Sequence, residues 1–374
     1  MKITGVKALS LAAPLSKKLS TSAQTFTEAK SALVRLTTSD GIEGVGECLA
    51  RYSPLVWSEL VEEVLAPLIV GADPFDVEWI WNRMYRGLGS FSGHSRGILL
   101  EAMSGIDIAV WDVMGKSAGM PVHKLLGGSA RSSIAAYASS VGVAELAAMV
   151  EDATTLVERG FTAIKVKIGL GAEQDATTIW ALRKAVGPTV EIMVDANCAY
   201  QYPEAARLAR RLEEVPVAWF EEPFSTEDLA SYSMLRQNSI VPLAAGEGEF
   251  TRFGIKALLD TGAVNVVQPD VARAGGISEC HKIAITASLY NASFSPHVGN
   301  CGGVAAAASV QLAAAAGNFN TYECSYYPHP LRDELLLEPV GHASQIKNGE
   351  LPVPDRPGLG VELNEEVVER YTMR

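Results

Sequence analysis

From about residue 130 to residue 325, short apolar segments alternate regularly with amphipathic helical patterns. Apolar runs of this length are typical of strands buried on both faces, and helical patterns fill the seven gaps between them. A parallel sheet that closes on itself is built from such a repeat, so the sequence predicts a (β/α)7β barrel. The predicted strands are residues 133–139, 163–169, 191–197, 218–223, 242–247, 263–270, 292–298 and 320–324.

The regions on either side of this repeat follow other patterns. Residues 1–50 alternate like strands around the turn signal Asp40-Gly41, and residues 56–126 carry apolar side chains at helical spacings of three and four. We therefore predict an α/β protein, a modified TIM barrel with an N-terminal α+β capping domain that the C-terminal tail completes. The predicted domains are 1–128 (cap), 129–325 (barrel) and 326–374 (a tail that packs back on the cap).

Seven ionisable residues stand at or near the carboxyl ends of predicted strands. Their successive separations are 28, 26, 26, 23, 27 and 26 residues, which is one βα unit per step. Because the carboxyl ends of parallel barrel strands meet on one face, we expect these residues to surround one pocket. They are Lys167, Asp195, Glu221, Glu247, Asp270, His297 and Glu323.

Three of these acids are expected to bind a divalent metal ion. Asp195, Glu221 and Glu247 follow strands apolar enough to be buried, where an unpaired charge is costly. Carboxylate oxygens without histidine or cysteine suit a hard cation, with Mg²⁺ the first choice and Mn²⁺ the second. Acids at the start of surface loops are the alternative for any single residue, but three in register favour the metal site.

Two lysines and a histidine supply candidate acid/base groups. Lys165 and Lys167 are two residues apart in a strand, so their side chains point to the same side. Two neighbouring ammonium groups with a dication nearby lower each other's pKa, and a neutral lysine is a general base. Asp270 and His297 are expected to form a dyad in which the carboxylate fixes the imidazole tautomer. The alternatives are exposed lysines on an edge strand and a structural histidine.

A lysine on one side and a histidine nearly opposite would place an acid/base group on each face of a substrate. The proton next to a carboxylate is only weakly acidic, so its removal also needs a metal and a hydrogen-bond donor for the enediolate. Glu323 is a candidate donor, because a carboxyl group in an acidic ring has a raised pKa. The sequence thus predicts an enzyme acting on a small-molecule carboxylate.

Composition excludes other classes of partner. The net charge of -12 repels phosphate backbones and anionic lipids, so neither nucleic acid nor a membrane is expected as a partner. The apolar run from Gly302 to Ala316 is too short to span a bilayer and is predicted to be a buried helix. The five cysteines are scattered without a CxxC pair, which favours a reducing, cytoplasmic location.

Together these residues resemble the enolase superfamily and, within it, the mandelate racemase subgroup. The resemblance implies the metal ligands and acid/base groups named above, with Lys165 as the electrostatic partner of Lys167. It also implies that Glu323 donates to the substrate carboxylate and that Asn197 is a polar substrate contact. The matching motifs, in order along nearly the whole chain, are GIEGVGEC, SGIDIAVWDVMGK, KVKIG, VDAN, WFEEP, Gly246-Glu247, QPD, SPH and PGLGVEL.

Within that subgroup the motifs are most similar to acid-sugar dehydratases and to the galactarolactone cycloisomerase type. The implied reaction is Mg²⁺-dependent dehydration or cycloisomerisation, in which one base takes the α-proton and a protonated histidine helps the β-leaving group to depart. The resemblance also implies a homo-oligomer and specificity set by loops of the cap. Polar stretches 16–30 and 91–97 fit that role, and Lys18, Arg51 and His94 are candidate contacts for the distal end of the substrate.

Other functions stay open at this point. Racemisation or epimerisation of a hydroxy acid or an amino acid derivative would use the same lysine and histidine. A Schiff-base aldolase could use a barrel lysine to form an imine. A barrel without catalytic activity that acts as a scaffold is the remaining alternative.

Overall fold

The computed structural model describes residues 1–20, 25–90, 92–128 and 131–373. The N-terminal region contains a three-stranded antiparallel sheet in which β1 and β2 form a long hairpin. The next strand, β3, returns along β2 after the turn at Asp40-Gly41, as the sequence predicts. The strands are β1 (Ile3–Ser20), β2 (Thr25–Thr38) and β3 (Glu43–Cys48).

One long helix, α4, connects this sheet to the barrel. Its residues from Leu99 to Gly115 are all buried, since it packs on β3 and also on the barrel helix Gly276–Leu289. Glycine permits the close approach to β3, because a Cβ atom at Gly46 would overlap the carbonyl oxygen of Gly105. The helices are α1 (Pro54–Glu59), α2 (Ala66–Ile69), α3 (Val77–Met84), α4 (Ile98–Ala118) and α5 (Val122–Leu125), with π-helical turns at Leu60–Leu65 and Tyr85–Ser90.

Eight parallel strands form the barrel, each at a predicted position. From β4 to β10, strands adjacent in sequence are adjacent in space, and β11 pairs with β4. The ring closes where Phe294 in β10 bridges Phe319, just before β11. The strands are β4 (Ser133–Val141), β5 (Ala163–Lys167), β6 (Glu191–Asp195), β7 (Phe220–Glu221), β8 (Leu243–Ala245), β9 (Val264–Val267), β10 (Ser293–Phe294) and β11 (Tyr322–Ser325).

Each of the seven gaps between these strands contains a helix, so the predicted (β/α)7β architecture is confirmed. The last of these helices is buried from Gly303 to Ala314, as its Ala-rich sequence predicts. Within the described ranges, no helix is both long and apolar enough to cross a membrane. The helices are α6 (Leu146–Glu158), α7 (Ala172–Val186), α8 (Tyr202–Leu212), α9 (Leu229–Asn238), α10 (Thr251–Leu259), α11 (Gly276–Leu289) and α12 (Gly303–Ala315).

After β11 the chain contacts both the barrel and the N-terminal region. β12 (Glu350–Pro352) pairs antiparallel with residues 133–135 of β4, which neither β5 nor β11 contacts in register. Further on, the backbone N–H of Leu359 donates to Asp112 in α4. The last elements are α13 (Pro330–Asp333), a 3-10 turn (Ala343–Gln345) and α14 (Glu365–Tyr371), which packs on β1. The division into three domains stays a prediction, and its boundary at 129 lies outside the described residues.

The polar stretch 16–30 is not the loop that the sequence suggested. Its described residues belong to the β1–β2 hairpin, where cross-strand pairs such as Leu19 with Phe26 extend the ladder. Polar composition misled the prediction because strands at a solvent-exposed edge are polar as well. Residues 21–24 lie outside the described chain, as does Phe91 in the stretch 91–97.

Candidate active site

The structure places the seven predicted ring residues at the carboxyl end of the barrel. Lys167, Asp195 and Glu221 close their strands and lie side by side in the sheet register. Asp270 and His297 follow neighbouring strands and form a parallel bridge of their own. The ring therefore exists because a polar residue stands at or near the end of each apolar run, and the barrel brings those ends together.

The three predicted metal ligands form one compact group. A carboxylate oxygen from each of Asp195, Glu221 and Glu247 lies within 4.8 Å of the others. Asp195 is oriented by the backbone N–H of Asn197, which donates to Oδ1 over 2.9 Å. Oε2 of Glu221 accepts from Trp219 Nε1 at 2.9 Å and from the side-chain amide of Gln268. These bonds hold both carboxylates in place, and their other oxygens face the two lysines.

The charges in this group fit a divalent cation. Burial, followed by the charge of Asp195, raises the pKa of Glu221 to about 7. Burial and the neighbouring carboxylates both disfavour the charged form, and a bound cation would offset them. Glu247 Oε2 is buried without a hydrogen bond among the described residues, and the imidazole Nε2 of His297 lies 3.4 Å away. Three carboxylates, one with an unsatisfied oxygen, are the donor set that a hard dication prefers.

Lys165 and Lys167 point into the barrel together, as predicted. Lys165 contacts Glu221 at 2.6 Å and Glu323 at 2.8 Å, and both ammonium groups contact Oδ2 of Asp195. Only 1% of the Lys165 side chain is exposed, compared with 19% for Lys167. Lys165 is therefore the interior partner, and Lys167 is the one that can meet a substrate.

The side chains by themselves favour the ammonium form of both lysines, so the neutral lysine expected beside a dication stays a prediction. Burial on its own lowers the pKa of Lys165, but the charges of Glu221 and Glu323 outweigh it and raise that pKa well above its usual value. Burial also opposes the charged form of Lys167, and Asp195 reverses the balance, so its pKa is raised. The sequence shows the second ammonium group, but it does not show how many carboxylates lie within bonding distance of the two lysines.

The predicted dyad is present. His297 Nδ1 lies 2.8 Å from Asp270 Oδ2, so the other ring nitrogen, Nε2, faces the ring interior. Burial disfavours the imidazolium, yet the charges of Glu247, Glu323 and Asp270 raise the pKa of His297 to about 9. These side chains therefore favour the protonated imidazole.

Glu323 behaves opposite to expectation. Its carboxylate accepts from Lys165 and from the backbone N–H of Val298, at 2.7 Å for the latter. Burial on its own raises the pKa of Glu323, but Lys165 and His297 lower it well below the usual range. The prediction of a protonated carboxyl is therefore wrong here, because two cations contact this acid and compensate for its acidic neighbours.

The four predicted substrate contacts lie in different parts of the structure, and only Asn197 lies beside a predicted metal ligand. Asn197 lies next to Asp195, and its side-chain Oδ1 is buried without a partner among the described residues. Arg51 lines a small cavity between the β1–β2 hairpin and the loop after β10, together with Asn300. Lys18 and His94 are exposed side chains on the surface of the cap region.

Several buried residues that support the ring were not predicted. Trp219 and Gln268 hold Glu221, and Tyr137 places its ring 5.6 Å from the Lys165 ammonium. Trp219 and Gln268 each stand two residues before a polar residue of the ring, and Tyr137 faces the barrel interior with Trp219. Because side chains alternate between the two faces of a strand, this spacing could have identified them. Glu222 had no such signal. Burial, followed by Glu247 and Asp195, raises its pKa to about 8.

Comparison with known proteins agrees with the motifs. Residues 3–127 match the family described as mandelate racemase / muconate lactonizing enzyme, N-terminal domain, and residues 148–367 match the family described as enolase C-terminal domain-like. D-galactarolactone cycloisomerase of Agrobacterium fabrum is 36% identical over 385 residues, covering 100% of this chain and 99% of the relative. Arabinonate dehydratase of Saccharolobus solfataricus is 37% identical over 340 residues, covering 90% and 89%.

Solved structures agree with this result. The 3,6-anhydro-D-galactonate cycloisomerase from Zobellia galactanivorans has a TM-score of 0.89 at 36% identity, with 100% of both chains covered. A racemase from Streptomyces coelicolor A3(2) with bound magnesium has a TM-score of 0.89 at 27% identity, covering 99% of this chain and 100% of that one. The resemblance predicted from the motifs is confirmed. The chain belongs to the mandelate racemase / muconate lactonizing enzyme family of the enolase superfamily, and the relatives named here are lyases and isomerases.

Proposed function

We propose that this protein is a Mg²⁺-dependent enzyme that removes the proton next to the carboxylate of an acid sugar and then dehydrates or cycloisomerises it. One observation carries the proposal. Three carboxylates within 4.8 Å of one another stand between a lysine and a carboxylate-bound histidine at the mouth of a barrel. The relatives with dehydratase and cycloisomerase names support the reaction class.

Asp195, Glu221 and Glu247 would hold the metal ion. When bound, it would supply positive charge beside the negative charge that develops on the substrate carboxylate as the proton leaves. Mg²⁺ is preferred because it takes oxygen ligands and keeps positions for water and substrate. The magnesium in the Streptomyces coelicolor relative supports this choice.

Lys167 is proposed as the base that takes the α-proton. Its side chain is the more exposed of the two lysines, and it also lines a cavity of about 500 Å³ beside the first turns of α6 and α7. A lysine accepts a proton only after releasing its own, so Asp195 must first stop holding it as an ammonium ion. Lys165, 3.6 Å from the same carboxylate oxygen, then favours the neutral amine by charge repulsion.

His297 is proposed as the general acid for the leaving group. Asp270 fixes Nδ1, so the proton to be donated is on Nε2. Because the pKa of His297 is raised to about 9, the imidazolium is the main form at neutral pH. A departing β-hydroxyl is a poor leaving group unless it is protonated, and this proton is available at the ring interior.

An acid sugar fits the polar groups around the ring. Its carboxylate would meet the positively charged groups, and its hydroxyls need hydrogen-bond acceptors. Asn197 Oδ1 is one buried acceptor without a partner in the described structure. Arg51, near Asn300, is proposed to contact the distal end of the substrate.

A screen of mono- and diacid sugars and their lactones tests the proposal. Each compound is incubated with the protein and Mg²⁺ in D2O, and 2-keto acid formation and lactone rearrangement are followed by NMR. We expect product from at least one compound and none after EDTA treatment. Turnover that persists without divalent metal contradicts the proposal.

The same pair of residues also supports racemisation or epimerisation, because Lys167 and His297 belong to strands on different sides of the barrel. Deuterium entry at the α-carbon with inversion, and without a 2-keto product, would assign that reaction. A Schiff-base aldolase is disfavoured, since imine formation on a lysine has no use for the three-carboxylate group beside it. Borohydride trapping with substrate checks this point.

A further inference from the structure

We propose that Glu47 and Arg332 are positioning residues that clamp the loop of residues 298–302 from two sides and so set the position of His297. The inference depends on the proposed function for its catalytic consequence, but not for its geometry. Neither residue contacts the carboxylates of the ring, so this role differs from metal binding and proton transfer.

Arg332 holds the loop by its carbonyl groups. The side chain comes from α13, just after the last barrel strand, and the residue is only 2% exposed. Its Nη2 donates to the carbonyl oxygens of Val298, Gly299 and Cys301 at 3.2, 2.5 and 2.9 Å. The Nε and Nη1 atoms have no partner among the described residues. The guanidinium thus satisfies three loop carbonyls through one nitrogen. Its other N–H groups are buried without a partner in the described chain, and an unpaired buried donor costs free energy.

The carboxylate of Glu47 binds backbone N–H groups at the end of the same loop. It lies on β3 of the N-terminal sheet and is 1% exposed. Its carboxylate accepts from the backbone N–H of Gly302 at 2.5 Å and of Ala305 at 2.9 Å, at the start of α12. Ser31 donates to it from β2 at 2.8 Å. A negative charge at a helix N-terminus with two backbone donors is a favourable arrangement.

The clamped loop is in direct contact with the catalytic imidazole. Gly299 lies against the ring so closely that a Cβ atom there would overlap Cε1 and Nε2 of His297. Val298 donates its backbone N–H to Glu323, which also faces His297 at 3.8 Å. A displacement of this loop therefore moves the group that would donate the proton. Among the described residues, the lysine strand β5 meets the loop only indirectly, because Lys165 contacts Glu323.

The N-terminal region thereby bears most directly on the histidine side of the site. A buried carboxylate of α4, Asp107, provides the comparison. It accepts from the backbone N–H and the hydroxyl of Ser278 in α11, at 2.9 and 2.6 Å, so it also joins this region to a barrel helix. Asp107 is 2% exposed, like the clamp residues, but it does not contact the loop after His297.

The test compares two clamp variants and one variant of the clamped loop with a matched control. Glu47→Gln turns an amide N–H toward a backbone N–H, Arg332→Lys reduces the fork to a single ammonium, and Gly299→Ala keeps both charges but crowds the imidazole. Asp107→Asn is the control. Thermal melting shows which variants fold, and either charge variant alone decides the test if the other does not fold, with Gly299→Ala showing how a displaced imidazole appears.

The first readout needs no turnover. The Cε1–H resonance of His297 in protein labelled with ¹³C-histidine is assigned as the signal missing from His297→Asn. We expect this resonance to shift in the clamp variants and to stay in place in Asp107→Asn. An unchanged resonance in folded clamp variants overturns the proposal, whether or not the protein turns over an acid sugar.

The second readout separates the two sides of the site. In D2O with Mg²⁺ and an accepted acid sugar, α-deuterium exchange is compared with product formation. We expect the clamp variants to lose about 10²-fold in product formation, as for a misplaced catalytic group. Their exchange-to-product ratio should change in the same direction as in His297→Asn. Equal loss of both activities, as in a general structural defect, contradicts the proposal.

Discussion

The lysine side and the histidine side of the ring hold their reactive groups by different means. On the lysine side, Lys165 and Lys167 contact carboxylates directly, and Asp195 serves both. On the histidine side, His297 is fixed by one carboxylate and by the backbone that follows it. The first side depends on how many charges are present, and the second depends on where a loop lies.

This difference indicates how each side will respond to change. A charge added or removed near Asp195 alters the proton affinity of the lysines, because the ion pairs are short and buried. The orientation of the imidazole is less sensitive to such changes, since Asp270 holds one nitrogen at 2.8 Å, although Glu247 and Glu323 also contribute to its pKa. Its activity should instead follow the geometry of the loop.

The largest effect is expected from Glu221→Gln, which removes a charge that both the metal and Lys165 would use. Loss of a ligand removes several kcal/mol of charge stabilisation, so turnover should fall about 10³-fold or more. Isothermal titration with Mg²⁺ should show weaker binding in the variant. Normal turnover by this variant would remove the basis for the metal site.

The second largest effect is expected when each acid/base group is replaced separately. Lys167→Met and His297→Asn should each lower product formation by about 10²- to 10⁴-fold, the range of general acid–base catalysis. NMR in D2O should show that Lys167→Met loses α-proton exchange, whereas His297→Asn retains it. If His297→Asn loses exchange and Lys167→Met retains it, the roles of the two sides are reversed.

A smaller effect is expected from Gln268→Leu, which removes a hydrogen bond to Glu221 but no charge. Partners that orient a ligand typically contribute 10- to 100-fold in metal affinity, and Mg²⁺ titration should show about that loss. Gln311→Leu is the matched control, since Gln311 is also buried but binds His123 and the tail. Equal metal affinity in both variants would show that Glu221 needs no such support.

The smallest effect concerns stability rather than turnover. Burial and the nearby Arg332 lower the pKa of His329 to about 3, although Asp333 opposes them. His329 binds a proton near pH 6.5 in the unfolded chain but not in the folded chain. Its contribution to the free energy of unfolding is therefore fully present above that pH and is lost as the pH drops toward 3. Between pH 7.5 and pH 5 this amounts to about 2 kcal/mol.

Urea unfolding at the two pH values measures it. The stability of His329→Gln does not depend on protonation at this position. The unfolding free energy of the wild type minus that of the variant should therefore be about 2 kcal/mol smaller at pH 5 than at pH 7.5. A difference that is independent of pH would mean that His329 is accessible to protons in the folded state.

Local pattern determined where the reactive groups stand. The alternation of apolar strands and amphipathic helices predicts the barrel, and a polar residue at each strand end predicts the ring, from Lys167 to Glu323. Both follow from short-range rules, because a strand ends where its apolar run ends and a parallel barrel gathers those ends. No knowledge of distances between strands is required.

Tertiary structure decided the charge states and the supports. The lysines are more basic and Glu323 more acidic than the sequence suggested, because electrostatic energy depends on the distance between side chains from different strands. The clamp of Glu47 and Arg332 joins residues nearly three hundred positions apart, and β12 pairs with the free end of β4. Such contacts carry no periodic signal along the chain, so only the folded arrangement reveals them.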